Sequence, residues 1–453
     1  MARRERVSEE REAHRPRPDA PGPERDDLPA RVRALQRSAG NAAVAQLLRK
    51  GKAPDPPRAG GWNEAARHVA GTIRVEVTGV TKGNTDEDVA RSQTAEGAAG
   101  KAVVIVPDGV DLSARPDILL FFHGMGNVGY RERTSDDTSR GPKGTVHDVE
   151  ADQIPQQLAA SGRNMIGVLP QGTNKALFGI SDPQAYVDEV LGLAAAKLPP
   201  GPDGKPPAIA SGRIVVSGHS GGGRAAYGAA KALTKKAPAD DAEWLKAPPV
   251  LLFDGINGPG EARLWGNLMD EWLDADLARL KPAADRDKLL DRRGLRLRST
   301  HTSSDRYTAT NLGGKYVETV PLKEPDADGN KSKSVDVPIA KEQSLKGRID
   351  GWFARHAKAF EATVMDKWRK QYDVPSDAVS GGHEATVGTG RLGKKRGTAP
   401  PGLTGDSAKA GVPEYSGGGH LEESLSKLAG AMRPPPPPPH AELEEEELEE
   451  QYA

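Results

Sequence analysis

The chain has 453 residues, enough for one large domain with extensions or for two to three small ones. Its 63 Lys and Arg nearly balance 64 Asp and Glu, for a formal net charge of -1, so no bulk field recruits nucleic acid or an anionic membrane. The lack of cysteine excludes disulfides, thiolate catalysis and Cys-based zinc sites, and no apolar run reaches the roughly eighteen residues of a membrane-spanning helix.

Hydrophobic residues make up only 36% of the chain, against 52 glycines and 37 prolines, so the core is expected to be concentrated in one region between disordered extensions. Residues 1–60 read as a flexible, charged, Pro-rich leader. It opens Met1-Ala2-Arg3-Arg4-Glu5-Arg6 without the apolar stretch of a secretory signal, so synthesis in the cytoplasm is expected and any export needs another route. Between Leu28 and Lys50, Val32, Leu35 and Ala39 share a helical face, Gly40-Asn41 interrupts it, and Val44, Leu47 and Leu48 resume it. The pattern reads as two short amphipathic helices, suited to loose packing or to folding on a partner. The segment from Arg33 to Leu48 resembles one that recurs in bacterial proteins associated with extracellular contractile injection systems. That resemblance implies a cargo or accessory protein whose partners are components of the injection particle.

Residues 61–390 carry the fold signals. Thr72 to Thr78 alternates as a half-buried strand, and Ala102 to Val106 is a second candidate. Ile118 to Phe122, Met165 to Leu169, Ile214 to Val216 and Val250 to Phe253 are short, unalternating apolar runs separated by helical stretches, as expected of strands buried on both faces of a parallel sheet. Leu295 to Arg298 alternates, which suits a strand nearer the sheet edge. The helix over 183–198 starts at Ser181-Asp182-Pro183 and places Tyr186, Val190 and Leu193 on one face. Residues 261–293 and 341–370 read as helical insertions, with Trp265, Trp272 and Trp352 as core, and 323–335 reads as polar loop. The class is α/β, a doubly wound and mostly parallel sheet. Residues 391–453, with the proline run 434–439 and the Glu-rich 442–450, read as a low-complexity, solvated tail.

The chemistry is signalled by Gly218-His219-Ser220-Gly221-Gly222, which follows the strand Ile214-Val215-Val216 and precedes a small-residue helix. A serine on a sharp strand-to-helix turn needs glycine two positions to either side, where a Cβ would strike neighbouring backbone, and the turn exposes its hydroxyl beside helix N-H groups. A phosphate-binding loop does not fit, because Arg224 stands where Lys-Ser or Lys-Thr would follow. A second motif, His123-Gly124-Met125-Gly126, follows the strand ending Phe121-Phe122.

With these two motifs, residues 70–390 resemble an α/β-hydrolase. The resemblance implies Ser220 as nucleophile, the Gly221 and Met125 N-H groups as oxyanion donors, and an acid and a histidine later in the chain. His383, in Ser380-Gly381-Gly382-His383-Glu384, is the expected base, with His301 as its competitor; His356 lies on an apolar stripe, and His420 and His440 fall in the tail. For the acid, Asp254 at the end of one strand is preferred, with Asp305 in Thr302-Ser303-Ser304-Asp305 after the next as the alternative. His383-Glu384 lacks a second histidine four residues on, so the zinc-protease pattern is not met, and neither metal nor cofactor is expected. The expected activity is hydrolysis of a small-molecule or lipid carboxylic ester through an acyl-enzyme, as an esterase or lipase-like effector. The alternatives are an amidase or peptidase, or a non-enzymatic particle component on a degenerate hydrolase fold.

Overall fold

The computed structural model describes residues 72–83, 100–124, 154–172, 176–200, 204–236, 248–325, 330–379, 387 and 419–429. Eight strands form the main sheet: β1 (Ile73–Val77), β2 (Ala102–Val106), β3 (Asp117–Phe122), β4 (Met165–Pro170), β5 (Ile214–His219), β6 (Val250–Phe253), β7 (Leu297–Thr300) and β10 (Tyr372–Asp373), in the order β1-β2-β4-β3-β5-β6-β7-β10. β2 runs antiparallel to both its neighbours, and all other pairs are parallel. This is the expected mixed α/β class with a mostly parallel sheet.

Both faces of the sheet are covered, which explains the unalternating apolar runs. Ile118, Leu120 and Phe122 of β3 join one core while Leu119 and Phe121 join the other. The first core is closed by α2 (Pro183–Ala195), α3 (Gly222–Lys236), α4 (Pro259–Leu280), α5 (Arg286–Arg293), α7 (Leu345–Arg355) and α8 (Ala362–Arg369). Helix α2 begins where its sequence signals place it: the Asp182 carboxylate accepts from Ala185 N at 3.2 Å, with Pro183 in the first turn. Trp265, Trp272 and Trp352 are buried in this core. The second core is closed by α1 (Ile154–Ala160) and α9 (His420–Ser426).

Helix α9 corrects the reading of residues 391–453 as one solvated tail. Leu421, Leu425 and Leu428 are buried against Ile154 and Leu158 of α1 and the lower face of the sheet. The guanidinium of Arg163 donates to the carbonyls of Leu425 (3.1 Å), Ser426 (2.9 Å) and Leu428, supplying partners to the orphan acceptors of the helix end. At the other end the Gln157 side-chain carbonyl accepts from Glu422 N at 3.0 Å. The flanking glycine and proline composition hides this short apolar spacing.

Strand β7 lies next to the edge strand β10, in line with its expected position nearer the sheet edge, but it is buried throughout, and so are Arg298 within it and Arg296 just before it. Arg298 is ion-paired with Asp373 at 3.1 Å and with Glu423 of α9 at 2.9 Å. The Arg296 guanidinium stacks 3.6 Å from the Trp272 ring centroid and donates to Pro248 O at 2.6 Å. After α6 (Asp305–Leu312), β8 (Gly314–Pro321) and β9 (Ser332–Ile339) pair only with each other as a hairpin, so part of the expected 323–335 loop is strand. Among the described residues no helix is long and apolar enough to cross a membrane.

Candidate active site

The parallel strands end on one edge of the sheet, and Ser220 stands there between β5 and α3. Its φ of 52° is left-handed, a conformation that a non-glycine residue adopts only where its surroundings hold it. Those surroundings are visible: Ser220 N donates to Phe253 O at 2.9 Å, and Ser220 O accepts from Gly223 N at 3.0 Å. A Cβ on Gly222 would come within 2.2 Å of Phe122 O, and one on Gly223, just beyond the motif, within 1.7 Å of Gly255 O. The close approach of the turn to β3 and β6 therefore requires glycine at both positions. Ser220 and Gly221 are half-buried.

The loop after β3 reaches the same serine. A Cβ on Gly124 would lie 2.9 Å from Ser220 Cβ and 3.4 Å from its Oγ, so bare backbone abuts the hydroxyl. Buried His123 holds this loop: its Nε2 accepts from Gly172 N at 3.0 Å, which assigns the proton to Nδ1 and makes Nδ1 the donor to Gly124 O at 2.9 Å. Its ring also meets Phe178 edge to face at 4.9 Å. Met125, the expected second oxyanion donor, lies outside the described residues, as does His383.

The two candidate acids sit in different environments. Asp254, directly after β6, is fully buried and has φ 49°, the same left-handed region as Ser220 at the end of the adjoining strand. Its Oδ1 accepts from Thr302 N at 2.8 Å and its Oδ2 from the Thr302 hydroxyl at 3.1 Å, which aims the carboxylate across the strand ends. Asp305 is exposed in the first turn of α6, where its charge favours the helix start.

His301, between those two loops, is fully buried, and among the described residues neither ring nitrogen has a hydrogen-bond partner. Burial holds its pKa below the usual histidine value, with the Asp254 charge acting in the opposite direction. Unfolding restores the ordinary value, so the unfolded chain takes up the proton first. The stability that His301 contributes is therefore complete above about pH 6.5 and declines as pH falls through the lowered folded value. His301→Gln is expected to flatten this acid limb in urea titrations; an unchanged slope would count against it. The His301 carbonyl accepts from Val379 N at 2.7 Å, and Thr302 pairs in parallel with Val379, four positions before His383 in sequence.

A polar cluster on the β6–β7 side escapes sequence reasoning. Asn257 Nδ2 donates to Ser220 O at 2.9 Å, Asn257 N donates to Glu261 Oε2 at 2.8 Å, and the Tyr307 phenol donates to Asn257 Oδ1 at 3.3 Å. Burial, followed by the charge of Asp254, pushes the Tyr307 pKa up to about 12, with the nearby Ser220 side chain acting in the opposite direction. Asp254-Gly255-Ile256-Asn257-Gly258-Pro259 is recognisable as a loop by composition, but nothing local in it points to Ser220. No protein-family model matches the chain, and a search of curated proteins finds no relative.

Proposed function

We propose that the chain is a serine hydrolase of the α/β-hydrolase type, acting on a carboxylic ester through an acyl-enzyme on Ser220. The observation that carries this reading is the strained Ser220 turn at the carboxyl end of a central parallel strand, with the loop after β3 packed against its hydroxyl. Holding a non-glycine residue in that conformation costs on the order of 1–3 kcal/mol and persists only where the surrounding structure over-determines it. The carboxyl ends of parallel strands are also where ligands bind in open α/β sheets.

In this reading Ser220 Oγ attacks the substrate carbonyl carbon while His383 takes its proton. Asp254 holds the imidazolium; with four lone-pair sites on its carboxylate, the two bonds from Thr302 leave acceptor capacity for a ring N-H. The N-H groups of Gly221 and Met125 receive the negative charge that develops on the carbonyl oxygen. His123 stiffens the donor loop by tying the Gly124 carbonyl to its own ring. The imidazolium then protonates the departing alcohol, and water repeats the sequence to free the acid. The choice of ester over amide rests on analogy of fold. The leader, outside the described residues, is assigned to loading onto a contractile injection particle, which makes the enzyme an effector or cargo.

Labelling with a fluorophosphonate probe tests the reading. Wild type is expected to be labelled and Ser220→Ala is not, with both proteins folded by circular dichroism; a folded wild type that resists the probe overturns it.

A further inference from the structure

The Ser220 hydroxyl has two different flanks. On the β3 side stands bare backbone at Gly124; on the β6–β7 side stands the phenol of Tyr307, from the first turns of α6. Tyr307 donates to Asn257 Oδ1 at 3.3 Å and Asn257 Nδ2 donates to the Ser220 carbonyl at 2.9 Å, so a chain of two hydrogen bonds ties the phenol to the residue that carries the reacting oxygen. Helix α6 is fixed in place to do this. Thr310 Oγ1 donates to Ile256 O at 3.0 Å, and the Ser299 hydroxyl of β7 donates to Asn311 Oδ1 at 2.7 Å. Such a chain exceeds what packing a half-buried tyrosine requires.

We infer that Tyr307 is a catalytic hydrogen-bond donor to the leaving-group oxygen during ester cleavage at Ser220, an inference that rests on the reading of Ser220 as nucleophile. In the proposed reading the oxyanion forms beside the Gly124 backbone and the Gly221 N-H, which leaves the flank of the phenol for the departing alkoxide. A phenol pushed up to about 12 by burial and by Asp254 stays neutral near pH 7, so Tyr307 cannot serve as the base and keeps a proton to share. When the carbon–oxygen bond breaks, its electron pair goes to the leaving oxygen, which receives its proton from the base. Tyr307 turns its O-H from Asn257 to that oxygen as charge builds, and retains its own proton throughout. The benefit grows with the basicity of the leaving group, since an alkoxide carries more charge in the transition state than a nitrophenolate.

The test compares full-length wild type and Tyr307→Phe on ethyl and p-nitrophenyl esters of acetic, butyric and octanoic acid, using the acyl chain that wild type turns over fastest. With the ethyl ester kcat/KM is expected to fall about 100-fold, and with the p-nitrophenyl ester by less than about tenfold. Equal losses on both esters assign Tyr307 to holding Ser220 alone and overturn the inference, as does no loss on either. Ser220→Ala is run alongside. Turnover or labelling that survives it, or a wild type with neither, removes the parent reading and the inference together, which is distinct from a Ser220-dependent enzyme indifferent to Tyr307. Should Tyr307→Phe fail to fold, 3-fluorotyrosine at position 307 keeps the shape while making the phenol a stronger donor. It is expected to narrow the ratio between the two esters, and an unchanged ratio overturns the inference.

Discussion

Asp254→Asn is expected to lower kcat for ester hydrolysis by roughly 10⁴-fold while leaving the fold intact, the scale seen when an imidazole loses the acid that sets its tautomer. The fold should survive because asparagine reproduces the shape, its carbonyl can accept from Thr302 N, and the Thr302 hydroxyl can turn to accept from its amide. Asp305→Asn removes an exposed charge at the start of α6 and should cost only about 0.3–1 kcal/mol of helix stability, with kcat close to wild type. Turnover of a p-nitrophenyl ester and thermal unfolding of both variants decide the matter. Equal, mild losses would refute both as the triad acid, and a large loss confined to Asp305→Asn would reverse the assignment.

Ending the chain after residue 418 is the second large effect. It removes Leu421, Leu425 and Leu428 from the second core, leaves the Arg163 guanidinium without the carbonyls of α9, and takes Glu423 from Arg298. At about 1.5–3 kcal/mol per buried leucine, the three side chains account for roughly 5–9 kcal/mol. That is comparable with the whole stability of an ordinary domain, about 5–15 kcal/mol. The truncated protein should therefore be largely unfolded or aggregated, whereas a chain ending after residue 430 should keep the urea midpoint of full length. A shortened chain that melts with the parent would show that α9 is dispensable.

How far the sequence reaches depends on the range of the interactions involved. Ile118 to Phe122 or Val250 to Phe253 can be recognised as buried parallel strands because covering both faces of a strand leaves an unbroken apolar run in the chain itself. The turn at Ser220 is legible because its glycines stand in consecutive residues, although the backbone that requires them belongs to Phe122, His123 and Gly255, distant in the chain. Leu295 to Arg298 alternates as a strand near the edge should, and β7 is next to the edge strand; what the alternation does not reveal is that Arg296 and Arg298 are buried, tolerated inside because distant Trp272, Asp373 and Glu423 meet them. Strand β10 is two residues long, too short for a periodic signal, whereas in β9 Val335, Val337 and Ile339 alternate with Asp336 and Pro338, a signal masked where the strand starts in the polar stretch 323–335.

The site divides along the same line. By itself the sequence identified Ser220 as the candidate nucleophile, the His123-Gly124 loop after β3, and Asp254 ahead of Asp305 as the acid, because a nucleophile turn and a strand-end loop are written in consecutive residues. His383 and Met125 lie outside the described residues and stand as sequence expectations. Only the tertiary structure distinguished buried Asp254 from exposed Asp305, brought Tyr307 and Asn257 to Ser220, and drew residues 419–429 into the core. Each of these depends on contacts between segments far apart in the chain, and burial and hydrogen bonding between such segments are decided when the sheet and its helices close.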